Sequence, residues 1–171
     1  MKNLLVYISP SHDFDTEEKV TAKIQIDNSL DLGWKKADIL LVTNFPYKYN
    51  GIKALIVGDE NWCSPVPPAT ELYTIVNLFK KGFFGRELYW YHNFDLFQNE
   101  VVTDQEIESE LGLADLGLTD QGRMPKWNGG SLFFKKTSRD IFEAAKKIVD
   151  KYEVNDEHAL MVLYTNNLLW A

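Results

Sequence analysis

Leu88-Tyr89-Trp90-Tyr91-His92-Asn93-Phe94-Asp95 is the stretch on which the fold turns. An unbroken apolar and aromatic run gives way to two short polar side chains separated by one residue. The run predicts a buried strand, and the polar pair marks its end. In a mostly parallel α/β sheet, ligands bind at the carboxyl ends of strands. The residues just past His92 therefore matter for function as well as for fold.

Reading upstream, Leu4-Leu5-Val6-Tyr7-Ile8 predicts a first buried strand, ended by Ser9-Pro10-Ser11. The stretch from Asp38 to Thr43 predicts a second, stopped at Asn44-Phe45-Pro46, and Lys53 to Val57 a third, stopped by Gly58-Asp59. Asp15 or Thr16 caps a helix between the first two, with Glu17 and Glu18 in its first turn. Val20 and Ile24 fall four apart on one face of it, and Gly33 closes it. Thr70 opens another helix with Leu72, Ile75, Val76 and Phe79 on one face, ending at Gly82.

Downstream, residues 103–123 are polar and punctuated by glycine, with a short helix from Asp104 to Leu111. Ser131 to Lys135 predicts a fifth strand. Thr137 or Ser138 caps a helix through Tyr152 with Ile141, Ala145, Ile148 and Val149 inward, and Asn155 starts a last helix through about Leu163. No repeat, low-complexity tract or linker interrupts the chain. Strands alternating with helices predict one α/β domain over residues 1–171, with a mostly parallel central sheet flanked by helices.

Composition narrows the function. The formal net charge of -7 argues against a general nucleic-acid binder, which needs a basic surface to meet phosphates. An acidic chain can still bind a nucleoside diphosphate if a metal ion supplies the positive charge. A single cysteine, Cys63, excludes an intrachain disulfide and a cysteine-based zinc cluster. It reads as a reduced, buried thiol and suits a cytoplasmic location. No apolar run approaches the ~20 residues of a transmembrane helix, and the apolar part of Met1 to Pro10 is too short for a secretory signal. A phosphate loop, a dinucleotide-binding glycine fingerprint and a serine nucleophile elbow are all missing from the sequence.

Three constellations remain. Asn93 and Asp95 point the same way if the backbone is extended, and their oxygens suit one hard cation. Alternatively they bond backbone amides in a strand-end turn. In Trp127-Asn128-Gly129-Gly130-Ser131-Leu132-Phe133-Phe134, two glycines precede an apolar strand and permit either close approach of a ligand or a tight turn. Arg123 and Lys126, just before it, are either phosphate contacts or surface charges. In Asn155-Asp156-Glu157-His158, Asn155 is a helix cap whose two acidic neighbours suit the first turn. One of those carboxylates can instead serve as a general base, and His158 as a metal ligand or a donor to phosphate.

Taken in this order, the three stretches resemble glycosyltransferases of the GT-A type. Asn93-Phe94-Asp95 stands where such enzymes carry a DxD motif, in a context, YWYHNFDLFQ, similar to their W-H-D-x-D-x-x-Q form. WNGGSLFF is similar to their N-x-G turn and strand, and NDEHAL to the acidic helix start of many inverting members. The stretches IQIDNSLDLGW and DILLVTNFPY resemble small viral and microbial members, including the glycosyltransferase domain of chlorella viruses. The resemblance runs over roughly residues 3 to 165 and implies a single-domain GT-A, Rossmann-like fold.

It further implies an enzyme of the hexosyl- or deoxyhexosyl-transferase class. Such an enzyme moves a sugar from a UDP- or GDP-sugar donor to a glycan or other hydroxyl acceptor with Mn²⁺ or Mg²⁺. By position, Tyr7, Ile8 and Ser9 border the nucleoside; Asn93, Asp95 and His158 hold the metal; and Arg123, Asn128, Gly129 and Gly130 shape the donor site. Asp156 or Glu157 is the base if the reaction inverts. Two departures stand out. Asn93 replaces the first acid of the motif, so the metal either binds more weakly or is held mainly by Asp95 and the diphosphate. The chain also stops at Trp170-Ala171, short of many such domains, and reads as a minimal member or one without a C-terminal metal ligand. Two other readings compete. One is a nucleotide-sugar-binding module without turnover; the other is a metal-dependent phosphoesterase built on Asp59, Asp95 and Asp156.

Overall fold

The structure, a computed structural model, describes residues 1–124 and 126–166; the Trp170-Ala171 end lies outside them. Its strands are β1 (Lys2–Tyr7), β2 (Ile39–Thr43), β3 (Lys48–Tyr49), β4 (Ile52–Lys53), β5 (Leu55–Ile56), β6 (Tyr89–His92), β7 (Leu116–Asp120) and β8 (Trp127–Phe134). Its helices are α1 (Thr16–Asp31), α2 (Thr70–Lys80), α3 (Asp104–Leu111), α4 (Arg139–Tyr152) and α5 (Asp156–Thr165).

Six strands form one sheet in the order β5-β2-β1-β6-β8-β7. The pairs β5/β2, β2/β1 and β1/β6 are parallel, and β6/β8 and β8/β7 antiparallel. Five strands therefore run one way and β8 alone opposes them: a mixed, mostly parallel sheet flanked by helices. β1 is central, with Leu4 opposite both Leu40 and Tyr91.

Alternation along the strands divides the core between the two faces of the sheet. Leu4, Val6, Val42, Tyr89, Tyr91, Leu132 and Phe134 join side chains of α2, α4 and α5 in one cluster. Leu5, Ile39 and Leu41 join Phe14, Phe45, Phe94 and the α1 residues Ala22 and Ile26 in the other. Burying such side chains contributes about 1.5–3 kcal/mol each, and this is the main favourable term holding the three layers together.

Local chemistry sets several boundaries. Asp15 caps α1, its carboxylate accepting from the Glu18 amide at 2.8 Å. Thr103 and Glu106 close a reciprocal capping box on α3, and Asn155 caps α5. Ser138 stands before α4, but its hydroxyl donates back to Lys135 O rather than capping.

Three sequence expectations change. Val20 and Ile24 lie on the exposed face of α1, and its inner face carries Ala22, Gln25, Ile26 and Ser29. The stretch from Lys53 to Val57 is not one buried strand. Ile52–Lys53 pairs with Lys48–Tyr49 in a separate hairpin, while Leu55–Ile56 is the exposed edge of the main sheet. The polar, glycine-rich stretch before β8 contains β7, an edge strand that needs an apolar face only on the side covered by the core.

Candidate functional site

The carboxyl ends of β1 and β6 open on two adjoining clefts. β1 ends in Tyr7, which is half-buried and lines the first cleft with Asn93, Phe94 and Asp95. Its far wall is the first turns of α1, with Glu17, Glu18 and Thr21; the volume is about 270 Å³. The second cleft, of about 200 Å³, lies over β8 and the start of α5. It is lined by Tyr91, Gly129, Gly130, Asn155, Asp156 and Glu157. Asn93 and Glu71, the latter in the first turn of α2, line both clefts.

Asn93 to Asp95 lie in a turn just past β6, not in extended chain: the Leu96 amide donates to Asn93 O at 3.3 Å. Both side chains are exposed and face the same cleft, so their convergence comes from the turn. The Asn93 amide continues the ladder to Gly130 O at 2.9 Å, and Tyr91 Oη donates to Asn93 Oδ1 at 2.6 Å. One lone pair of that oxygen is thus already used.

The two glycines sit in an irregularity of β8. Leu118 pairs with Leu132 but Thr119 with Asn128, so Gly129, Gly130 and Ser131 are left over on the β8 side. The bulge turns this backbone toward α5 and β6. A Cβ on Gly130 would stand 2.5 Å from Asn93 Nδ2 and 3.0 Å from Asn128 Oδ1. Asn128 Oδ1 accepts from the Gly130 amide at 2.7 Å, and Glu157 Oε1 from the Gly129 amide at 3.3 Å.

Beneath the second cleft is a pit of about 10 Å³ between Glu71, Asp156, Tyr91, Gly129 and the apolar side chains Leu72, Ile75, Leu132, Phe142 and Leu160. That is near the lower limit for a single water. Desolvation there, with the nearby charges of Asp156 and Glu18, pushes the Glu71 carboxyl up to about 8. Desolvation, reinforced by the Glu157 charge, raises Asp156 to about 7. Burial likewise raises the Tyr91 phenol and lowers His92 to about 4, so His92 is a neutral core side chain.

The other sequence candidates line neither cleft. Ile8 is buried in the core with α2. Ser9 is buried and joined to Asn44 by twin bonds, its amide donating to Asn44 Oδ1 at 2.9 Å and its carbonyl accepting from Asn44 Nδ2 at 2.8 Å. Arg123 is exposed in the turn between β7 and β8, and Lys126 beside it pairs with Asp120 at 3.7 Å. Asn128 is half-buried in the bulge. His158 is exposed, its Nδ1 2.6 Å from Asn155 Oδ1 on its own helix cap. Asp59 bonds Asn44 and His12, in neither cleft, so Asp59, Asp95 and Asp156 do not form one carboxylate cluster. Among the described residues, no group of three His, Cys, Asp or Glu side chains is arranged to hold a metal ion.

Glu71 escaped the sequence reading because an acidic residue in a first helical turn is explained by helix electrostatics alone. The one usable signal was its position after Pro67-Pro68, where a loop delivers the helix start to the strand ends.

No family model matches the chain, and no curated protein matches it in sequence. Solved structures match its fold. The apo form of the glycosyltransferase GlyE of Streptococcus pneumoniae TIGR4 aligns with a TM-score of 0.54 at 13% identity, over 96% of this chain and 43% of GlyE. A second GlyE structure gives 0.57 at 15% identity, over 95% of this chain and 43% of GlyE. The apo form of mouse xyloside xylosyltransferase 1 gives 0.53 at 12% identity, over 98% and 83%. The chain thus spans less than half the length of GlyE, and identities this low speak for the fold alone. That fold is GT-A-like, as the resemblance implied. Among the described residues, no helix is long and apolar enough to cross a membrane.

Proposed function

We propose that this chain binds a nucleoside-diphosphate sugar with a divalent cation in the first cleft and transfers the sugar to an acceptor hydroxyl in the second. One observation carries the reading: on a GT-A-like sheet, the Asn93/Asp95 cleft and the Asp156 cleft open side by side at the carboxyl ends of the strands, with Asn93 and Glu71 as common walls.

The donor set suits a hard cation shared with a ligand. Asp95 supplies one carboxylate and Asn93 one amide oxygen with a free lone pair; Glu17, Glu18 and Glu71 line the same cleft, but among the described residues no three His, Cys, Asp or Glu side chains are gathered to hold the ion by themselves. Mg²⁺ and similar ions are commonly held by one or two carboxylates, with phosphate oxygens and water completing the shell. Bound there, the ion would neutralise charge on the departing diphosphate. Tyr7 offers a ring wall to the donor. Asp156, with a proton affinity near neutrality, has the character of a general base for the acceptor hydroxyl. Glu157 is already engaged with the Gly129 amide and serves better as a brace.

A nucleotide-sugar-binding module without turnover is the second reading. The Tyr91 hydroxyl on Asn93 Oδ1 favours it, because it weakens a site already short of one acid. Calorimetric titration with UDP and GDP, with and without Mn²⁺, tests both readings alongside Asp95→Ala. Metal-dependent binding that disappears in the variant is the expected result. Absence of binding under every condition would end both readings. Binding without transfer or hydrolysis of any donor would select the second.

A further inference from the structure

The position of Asp95 is not set by Asp95. Among the described residues no hydrogen bond holds its carboxylate, so the backbone of its turn decides where it stands, and that backbone is gripped from α1. Gln25, two turns beyond Glu18, is 1% exposed. Its Nε2 donates to Phe94 O at 2.8 Å and to Leu96 O at 2.5 Å, the carbonyls of the residues on either side of Asp95. Asn28 Nδ2 donates to Gln98 O at 3.1 Å, and Trp34 Nε1 to Gln98 Oε1 at 2.8 Å, holding the same segment farther along. The helix is tied in turn to the central strand: Asn3 Nδ2 donates to Ser29 Oγ at 3.0 Å, and Ser29 Oγ to Gln25 O at 2.8 Å.

We propose that Gln25 is a positioning residue that sets the place of Asp95 in the cation cleft through its double bond-donation to Phe94 O and Leu96 O. Two acceptors face it, so only the NH₂ end of the amide can point at the turn. Among the described residues, the buried Oε1 end has no partner. A residue there only to fill space would be Leu or Met and would leave no buried polar atom unpaired. The same helix presents Glu18 and Thr21 to the first cleft. α1 therefore fixes one wall of the cleft directly and the Asp95 wall through Gln25. Indirect supports of a ligand of this kind typically change metal affinity about 10–100-fold when removed.

The cation arm of the test rests on the proposed function; the backbone arm does not. Gln25→Met keeps length and volume and removes both donors. Two results are expected. Hydrogen exchange at the Leu96 amide, which bonds Asn93 O across the turn, becomes faster while amides of β1 and β6 keep their protection. The Mn²⁺ midpoint of UDP binding rises about tenfold or more, with metal-free UDP affinity unchanged. Unaltered exchange at Leu96 would overturn the proposal, as would an equal loss of metal-free and metal-dependent binding together with a lower melting temperature. Wild-type protein that binds nothing would refute the transferase reading, and Leu96 exchange would still decide the clamp. If Gln25→Met does not fold, Asn28→Ala frees the segment at Gln98 while Gln25 keeps both of its bonds. Leu96 exchange should then stay at the wild-type rate; faster exchange would show that the tie at Gln98, not Gln25, holds the turn and would overturn the clamp.

Discussion

The Asp156 carboxylate lies against the backbone of Gly129: a Cβ at that position would stand 2.8 Å from Asp156 Cγ and closer still to Oδ2. Glycine is required here for proximity. It lets the bulge in β8 and the first turn of α5 share one small space, and this arrangement desolvates Asp156.

Gly129→Ala therefore tests the site more than the fold. The Asp156 side chain can rotate away, at a cost of about 0.5–1.5 kcal/mol for an unfavourable rotamer. For a chain of this length that lowers the melting temperature by about 1–6 °C. The displaced carboxyl meets more water, so its pKa falls from about 7 toward the usual carboxylate range. Thermal melts and carboxyl ¹³C titration measure the two effects, and transfer activity should fall much more than stability does.

Glu71 and Asp156 make stability depend on pH in a direction opposite to the usual carboxylate. Both bind a proton more tightly in the folded chain, at about 8 and about 7, than in the unfolded chain at about 4. Through that window the folded state holds more protons, so stability declines as pH rises and is fully retained only below about pH 4. Glu71→Gln removes its share of the decline. The variant should melt close to wild type near pH 4 and several degrees higher near pH 9. Melting curves across that range check it; a constant offset at all pH values would contradict it.

Tyr91→Phe separates stability from cation binding. It removes the 2.6 Å bond to Asn93 Oδ1, worth about 1 kcal/mol, and leaves Asn93 free to turn to solvent. The melting temperature should fall by about 2–4 °C. Mn²⁺-dependent nucleotide binding should hold, because the released oxygen keeps both lone pairs for the ion. A large loss of binding would mean that Tyr91 orients Asn93 toward the cation.

Much of the layout was legible in the residues. The apolar runs at β1, β2, β6 and β8 and the apolar stripe of α2 reflect burial strong enough to leave a pattern. The caps Asp15 and Asn155 are local bonds, and local bonds leave local signatures. Where the pattern failed, a partner distant in the chain had taken over. The inner face of α1 holds Gln25 and Ser29 because strand and turn carbonyls or amides meet them there, so its apolar stripe is weak and Val20 and Ile24 mislead. β7 and β5 are edges, short and half-covered, with too few buried positions to show a period.

The site divides in the same way. The turn Asn93-Phe94-Asp95, the pair Gly129-Gly130 and the start of α5 were visible as polar or glycine breaks beside apolar runs, because a chain leaving a buried strand must change composition to meet water. That Asn93 and Glu71 wall both clefts, that Gln25 grips the Asp95 turn, and that Asp156 and Glu71 keep protons near neutral pH were decided only by the tertiary structure. Each depends on desolvation or hydrogen bonding between segments tens of residues apart, and no run of neighbouring residues records how much water such a meeting excludes.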